Sequence, residues 1–174
     1  LRECMRMANG NGTQSPTAPM KLGEFLHGVR VLDLSHYISG PLASLALADM
    51  GAEVLKVEPP AGDGMEQLGP RDAQGRALFY EAINAGKSVL RLDLKDSAQR
   101  QRLLALVAEV DVLIEGFRPG VMSRLGLDYD FLRTVNPALV YCSINGYGSN
   151  TSALNKAGHD ANYLAEAGVL DRNG

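Results

Sequence analysis

The apolar positions of this chain fall into short runs separated by longer stretches with helical spacing. Val29–Leu34 (V-R-V-L-D-L) is the first run, rich in β-formers, and predicts a buried strand. Ser35–Pro41 (S-H-Y-I-S-G-P) reads as a loop, and Pro41 suits the first turn of a helix, where its missing N–H costs nothing. Leu42–Met50 is that helix, apolar on nearly every side, with Gly51 as its stop. Ala52–Glu58 is a second strand, ended by Pro59-Pro60. A β-α-β unit of this kind implies parallel strands and a right-handed crossover.

The alternation continues. Ala61–Arg76 is rich in Gly, Asp and Pro and reads as a loop; Ala77–Asn84 is a short helix and Ser88–Leu94 a third strand. Asp96 or Ser97 caps a helix running to about Glu109. Val112–Glu115 is a fourth strand followed by the loop G-F-R-P-G, where Pro119 opens a short helix, with another over Tyr129–Val135. Leu139–Asn145 is a fifth strand, Gly146–Gly158 a polar loop, and Asp160–Ala167 a last helix stopped by Gly168. Strands and helices in alternation predict a doubly wound α/β fold with a mainly parallel sheet. Residues 1–24 read as a flexible tail, since N-G-N-G-T-Q-S-P-T-A-P has little apolar surface to bury. Residues 25–174 form the α/β unit. The chain starts on Leu1 and stops soon after a helix signal, so it is expected to be part of a longer protein.

Composition narrows the function classes. Net charge is −3, with 45% apolar and 21% charged residues, an ordinary globular balance that argues against a nucleic-acid partner. No apolar run reaches membrane-span length, because Asp49, Glu109, Asp111 and Glu115 interrupt the longest ones. With no secretory h-region, the expected location is cytoplasmic. Cys4 and Cys142 are too far apart in sequence to suggest a metal motif, and Cys142, in an apolar strand, reads as a core residue.

In such sheets ligands bind beyond the carboxyl ends of the strands. Three loops with reactive content emerge there: S-H-Y-I-S-G-P, E-G-F-R-P-G and N-G-Y-G…A-G-H-D. The first strand–helix turn contains only Gly40, not G-x-G-x-x-G, and no phosphate-binding G-x-x-x-x-G-K-[ST] is present, which argues against NAD or ATP. Asp160 reads as an N-cap, a role that does not exclude catalysis. His159 is either a surface loop histidine or a base; a helix N-terminus favours neutral imidazole, and small Gly158 leaves room for a substrate. His36 and Tyr37 precede a helix and could simply pack under a neighbouring loop. Arg118 and Arg124 flank the helix after Pro119 and read as solvated charge. Lys87 begins the third strand at its amino end, so it too is expected in solvent. Phe117 could cover a core edge or stack on a base. Asp93 and Asp111 border strands and look structural.

Six motifs follow one another in order: G-V-R-V-L-D-L-S-H-Y-I-S-G-P at Gly28, L-A-D-M-G-A-E-V-L-K-V-E-P-P at Leu47, K-S-V-L-R-L-D-L-K at Lys87, D-V-L-I-E-G-F-R-P-G-V-M-S-R-L-G-L at Asp111, N-P-A-L-V-Y-C-S-I-N-G-Y-G at Asn136 and A-G-H-D-A-N-Y-L-A-E-A-G-V-L at Ala157. Together they resemble the family III CoA-transferases (CaiB/BaiF type), the group that also contains α-methylacyl-CoA racemase. The resemblance runs from Gly28 to Leu170. It implies a Rossmann-like large domain, an acyl-CoA thioester as substrate, no prosthetic group, and an interlocked homodimer. It places CoA against His36, Tyr37, Ile38, Lys87, Gly116, Phe117, Arg124 and Leu125. Lys87-Ser88 and Pro59 depart from the Lys-Arg and the arginine common at these places, so phosphate contacts are expected to be fewer or moved.

Two chemistries share the scaffold. Transferases use an aspartate nucleophile; racemases move the α-proton of a 2-methylacyl-CoA between two acid/base groups. In the racemase branch the histidine of G-H-D is one of that pair, so His159, with Asp160 beside it, tilts the reading towards racemisation. CoA transfer is the alternative, and a non-enzymatic CoA-binding module a second. The resemblance places the downstream aspartate beyond Gly174, so the 174-residue chain alone is expected to be inactive and poorly stable.

Overall fold

A computed structural model describes residues 22–148, 152, 156 and 158–172. Five strands form one parallel sheet: β1 (Arg30–Asp33), β2 (Glu53–Glu58), β3 (Ser88–Arg91), β4 (Val112–Glu115) and β5 (Val140–Ser143). Their order is β3-β2-β1-β4-β5. Between and after them lie α1 (Ser39–Asp49), α2 (Leu78–Ile83), α3 (Ser97–Val107), α4 (Val121–Leu125), α5 (Tyr129–Val135) and α6 (Asp160–Glu166). The chain winds outward from β1 to β3, then returns to β4 on the other side of β1. The strand order therefore reverses between β1 and β4, where doubly wound sheets open a crevice at their carboxyl ends.

The two-residue period of the strands feeds two separate cores. Leu32, Leu34, Val57 and Leu113 pack with Leu103, Leu106 and Val107 of α3, Met122 of α4 and Leu132 of α5. Val31, Val54 and Ile114 point the other way and meet Leu47 and Ala48 of α1. Helices thus cover both faces, as expected. The outer strands are less covered: Val89 of β3 and Val140 of β5 are largely exposed.

Local chemistry explains where the boundaries moved. The first helix begins at Ser39, earlier than expected, with Pro41 inside its first turn, where backbone N–H groups are still free of helical partners. The fourth helix starts at Val121, not at Pro119, because Gly120 takes a left-handed conformation (φ 78°) and caps it. Asp96 does cap α3, accepting from Gln99 N at 2.9 Å. Residues 22–24, assigned above to the tail, form a 3₁₀ turn, and Leu26 N donates to Met50 O behind it; residues 1–21 lie outside the described residues. The stretch Ala61–Arg76 is not all loop: Gly64–Gln67 is a 3₁₀ turn capped by Asp63. Cys142 is exposed rather than in the core, because β5 is an edge strand.

Candidate active site

The apolar alternation breaks at the carboxyl ends of the central strands. Asp33 ends β1 and lies in register with Lys56 of β2. Both are fully buried. Asp33 accepts from Ser35 N (2.9 Å), the Ser35 hydroxyl and the Ser44 hydroxyl of α1 (2.5 Å). The first turn of α1 passes directly over this group; a Cβ on Gly40 would overlap Ser35.

Lys56 Nζ donates to Asp63 Oδ2 at 2.9 Å and to Ser35 O at 2.8 Å, with neither charged side chain exposed. Asp63 in turn accepts from Met65 N (3.0 Å) and Tyr37 N (3.1 Å). Burial pushes the Asp63 carboxyl up, but Met65 N–H, Lys56 and Tyr37 N–H outweigh it and hold it below the ordinary aspartate range. Tyr37 sits at φ 63°, the left-handed region that a non-glycine residue seldom occupies. Its ring lies over Gly64, where a Cβ would come within 2.7 Å of the Tyr37 hydroxyl. Tyr37 and Ile38 are both more than half exposed.

Lys87 overturns its expected place in solvent. Its side chain is fully buried, and Nζ reaches Pro41 O (2.7 Å), Asn84 Oδ1 (3.0 Å) and Asp33 Oδ2 (3.5 Å). A lysine has three N–H donors, so these partners account for all of them. Burial, opposed by the attraction of Asp33, lowers its pKa to about 8. Between pH 8 and the ordinary lysine range, the unfolded chain holds a proton the folded chain has released. Stability therefore rises with pH across that window. Urea unfolding at pH 8 and pH 10 is expected to show this gain in the native sequence and to lose it in Lys87→Met; equal slopes would contradict it.

His36 follows β1 and Phe117 follows β4, so they flank the point where strand order reverses. Their rings meet at 5.6 Å. His36 Nε2 is buried without a hydrogen-bond partner among the described residues, and burial lowers the imidazole pKa, keeping the ring neutral at pH 7 despite nearby Asp63. Glu115 fixes the other loop: Oε2 accepts from Phe117 N at 2.8 Å and Oε1 from the Tyr141 hydroxyl at 3.4 Å. Gly116 lies beside Ser35 and Ile144 O. The loops after β1 and β4 thus meet as expected, bringing His36, Gly116 and Phe117 together, with Ile144 O after β5 beside Gly116; residues 149–151, 153–155 and 157 of the third loop lie outside the described residues.

The remaining candidates stand apart. Arg124 and Leu125 belong to α4, with Arg124 exposed beside Gly120. His159, not Asp160, is the N-cap of α6: its backbone N–H donates to Asn162 Oδ1 at 2.9 Å, and Asp160 is the first helical residue. Both are exposed. The room expected beside Gly158 is filled by the rings of Tyr147 and Tyr163, and the Tyr163 hydroxyl donates to Gly158 O at 2.9 Å. Lys56, Asp33 and Asp63 were not singled out beforehand. The available signal was a lysine inside an otherwise apolar strand, V-L-K-V-E, with an aspartate returning after Pro59-Pro60.

A separate hollow of about 520 Å³ lies near the β3 edge, lined by Glu66, Arg71, Arg76, Tyr80, Glu81 and Arg91 among others. Its arginines are already engaged, Arg76 with Asp72, Arg91 with Glu66, and Arg71 with the carbonyls of Gly75 and Glu66. Glu58, at the end of β2, accepts from the Tyr80 hydroxyl at 2.7 Å. Among the described residues there is no cluster suited to a metal ion, and no helix is long and apolar enough to cross a membrane.

The chain is 37% identical to the acetyl-CoA:oxalate CoA-transferase of Acetobacter aceti, over 91% of its own length and 41% of that protein. It is 35% identical to the human succinyl-CoA:glutarate CoA-transferase, over 99% of its length and 41% of the relative. A crystal structure of a CaiB/BaiF family protein from Brucella suis superimposes with a TM-score of 0.80 at 38% identity, covering 84% of this chain and 40% of that one. The chain thus spans about two fifths of the length of the relatives it matches. The profile of CoA-transferase family III matches residues 26–174, and with the parallel sheet and its converging carboxyl-edge loops this shows that the chain belongs to CoA-transferase family III.

Proposed function

We propose that the whole protein transfers CoA between an acyl-CoA thioester and a carboxylic acid, and that the carboxyl edge described here holds the thioester. The observation that carries the site is the contact of His36 with Phe117 across the reversal of strand order. There the buried His36 Nε2 lacks a partner among the described residues, and Tyr37 and Ile38 stand exposed beside it. The reaction is supported by the relatives, which carry CoA-transferase names with oxalate and glutarate as acids.

In this reading a carboxylate downstream of Gly174 in the whole protein attacks the thioester carbonyl. The C–S bond breaks, CoA leaves as thiolate, and an acyl anhydride remains on the enzyme. The CoA thiolate then attacks the enzyme carbonyl of that anhydride, releasing the first acid. The incoming acid takes CoA by the reverse sequence, so no oxidant or metal is needed. His36, Phe117 and the backbone of Gly116 would bind and orient the thioester. Lys87, whose three donors are already used, would act by holding the first turn of α1. The exposed Leu42, Val89 and Val140 are surfaces that the remainder of the protein, or a second copy in an interlocked dimer, would cover.

A second reading, α-proton transfer on a 2-methylacyl-CoA, is favoured by one observation: His159 is exposed at the N-terminus of α6, where it can meet substrate. Incubating the full-length gene product with 2-methylacyl-CoA in deuterated buffer, with and without an acceptor acid, separates the two. CoA appearing on the acceptor, without α-deuterium, is the expected result. Deuterium at the α-carbon without an acceptor would overturn transfer in favour of proton exchange. In that second case His159→Ala is expected to abolish exchange and leave CoA binding intact.

A further inference from the structure

We propose that the buried Lys56–Asp63 pair is a positioning device, holding the Ser35–Tyr37 loop in the one conformation that presents His36, Tyr37 and Ile38 to a CoA thioester. This rests on the reading of the carboxyl edge as the thioester site.

The pair is poorly explained as a stabilising contact. Taking two charges out of water costs about as much as their attraction returns, and apolar residues of similar volume often serve stability equally well. What the ions do here, and apolar residues cannot, is hold backbone. Lys56 Nζ fixes the carbonyl of Ser35, and Asp63 fixes the amide of Tyr37, two residues further on. The loop is gripped at both ends by one ion pair. Between these grips sits His36, and the grip on Tyr37 acts on a residue in the left-handed region. Such a conformation persists only where surrounding contacts over-determine it. Without the Asp63 acceptor, Tyr37 would relax towards negative φ and swing His36 off Phe117.

The connection is also economical in chain. Asp63 belongs to the turn that follows β2 and caps Gly64–Gln67 through Met65 N. Strand β2 and its following turn thus carry both halves of the clamp, while the loop they hold follows β1. Lys56 and Asp63 do not touch the ligand in this account; they act through the loop.

The test uses the full-length gene product in two forms. Lys56→Met together with Asp63→Leu removes both charges at similar volume. Lys56→Met together with Asp63→Asn also leaves no orphan charge, but keeps an oxygen that can accept from Tyr37 N and Met65 N. Two quantities are read: hydrogen exchange of the Tyr37 amide, and the dissociation constant for an acyl-CoA such as succinyl-CoA. In Lys56→Met/Asp63→Leu, amide protection at Tyr37 is expected to fall and the acyl-CoA Kd to rise roughly ten- to hundredfold, the scale of loss seen when groups shift by an ångström. Lys56→Met/Asp63→Asn loses the hold on Ser35 O but keeps the acceptor for Tyr37 N, so Tyr37 is expected to stay protected and Kd to rise less, a split that a mere loss of packing would not reproduce. A folded Lys56→Met/Asp63→Leu protein with Tyr37 still protected, or with Kd unchanged within twofold, overturns the proposal; if that form does not fold, a Kd unchanged within twofold in Lys56→Met/Asp63→Asn overturns it. If the native protein binds no acyl-CoA, the thioester reading fails by itself, and Tyr37 exchange still decides whether the pair holds the loop.

Discussion

Replacing Lys56 with Met alone is expected to destabilise the folded protein by about 3–5 kcal/mol, because Asp63 is left as a buried, uncompensated carboxylate. The loss should exceed that of an average substitution several-fold. Adding Asp63→Leu to the same protein should return most of it, since the double variant buries no orphan charge. Urea unfolding of the two variants and the native protein measures both steps. A single variant costing less than about 1 kcal/mol would mean that water reaches Asp63 and that the pair is not sealed.

The second large effect belongs to the core. Leu113 of β4 is fully buried on the face packed by α3, α4 and α5. Leu113→Ala removes buried methyl groups and leaves a cavity at the centre of the sheet, for an expected loss of about 2–5 kcal/mol. Val89, on exposed edge strand β3, provides the control: Val89→Ala in the isolated chain should cost only a few tenths of a kcal/mol. Equal losses at the two positions would contradict the placement of the core.

Much of this architecture was legible in the sequence, for physical reasons. Val112–Glu115 and Tyr129–Val135 emerge with the boundaries their patterns implied. Short apolar runs between capped helices leave little choice but a parallel sheet. The misreadings share one cause: local pattern does not say what lies alongside. Cys142 sits in an apolar run, yet β5 is an edge strand and leaves it exposed. Lys87 precedes its strand at the amino end, yet its side chain runs inward to Asp33, 54 residues away in sequence. Gly158 promised open space, and Tyr147 and Tyr163 occupy it.

The candidate site was legible to the level of loops. His36, Gly116 and Phe117 converge because the strand order reverses between β1 and β4, and alternation of strands and helices alone cannot give that order. The buried Asp33, Lys56 and Asp63 were hidden because their partners depend on how the turn after Pro59-Pro60 folds back. Asp160 looked like the cap of α6, and the cap is His159. One residue of difference matters here, since it puts the imidazole, not the carboxylate, at the junction of loop and helix.

The central claim is that the carboxyl edge of the sheet, at the loops after β1 and β4, holds an acyl-CoA. A crystal structure of the full-length gene product with a bound CoA thioester tests it most directly. The account predicts the thioester against His36, Tyr37, Gly116 and Phe117, with His36 Nε2 bonded to it. CoA seated instead in the hollow lined by Arg71, Arg76 and Arg91, with His36 and Phe117 untouched, would contradict it.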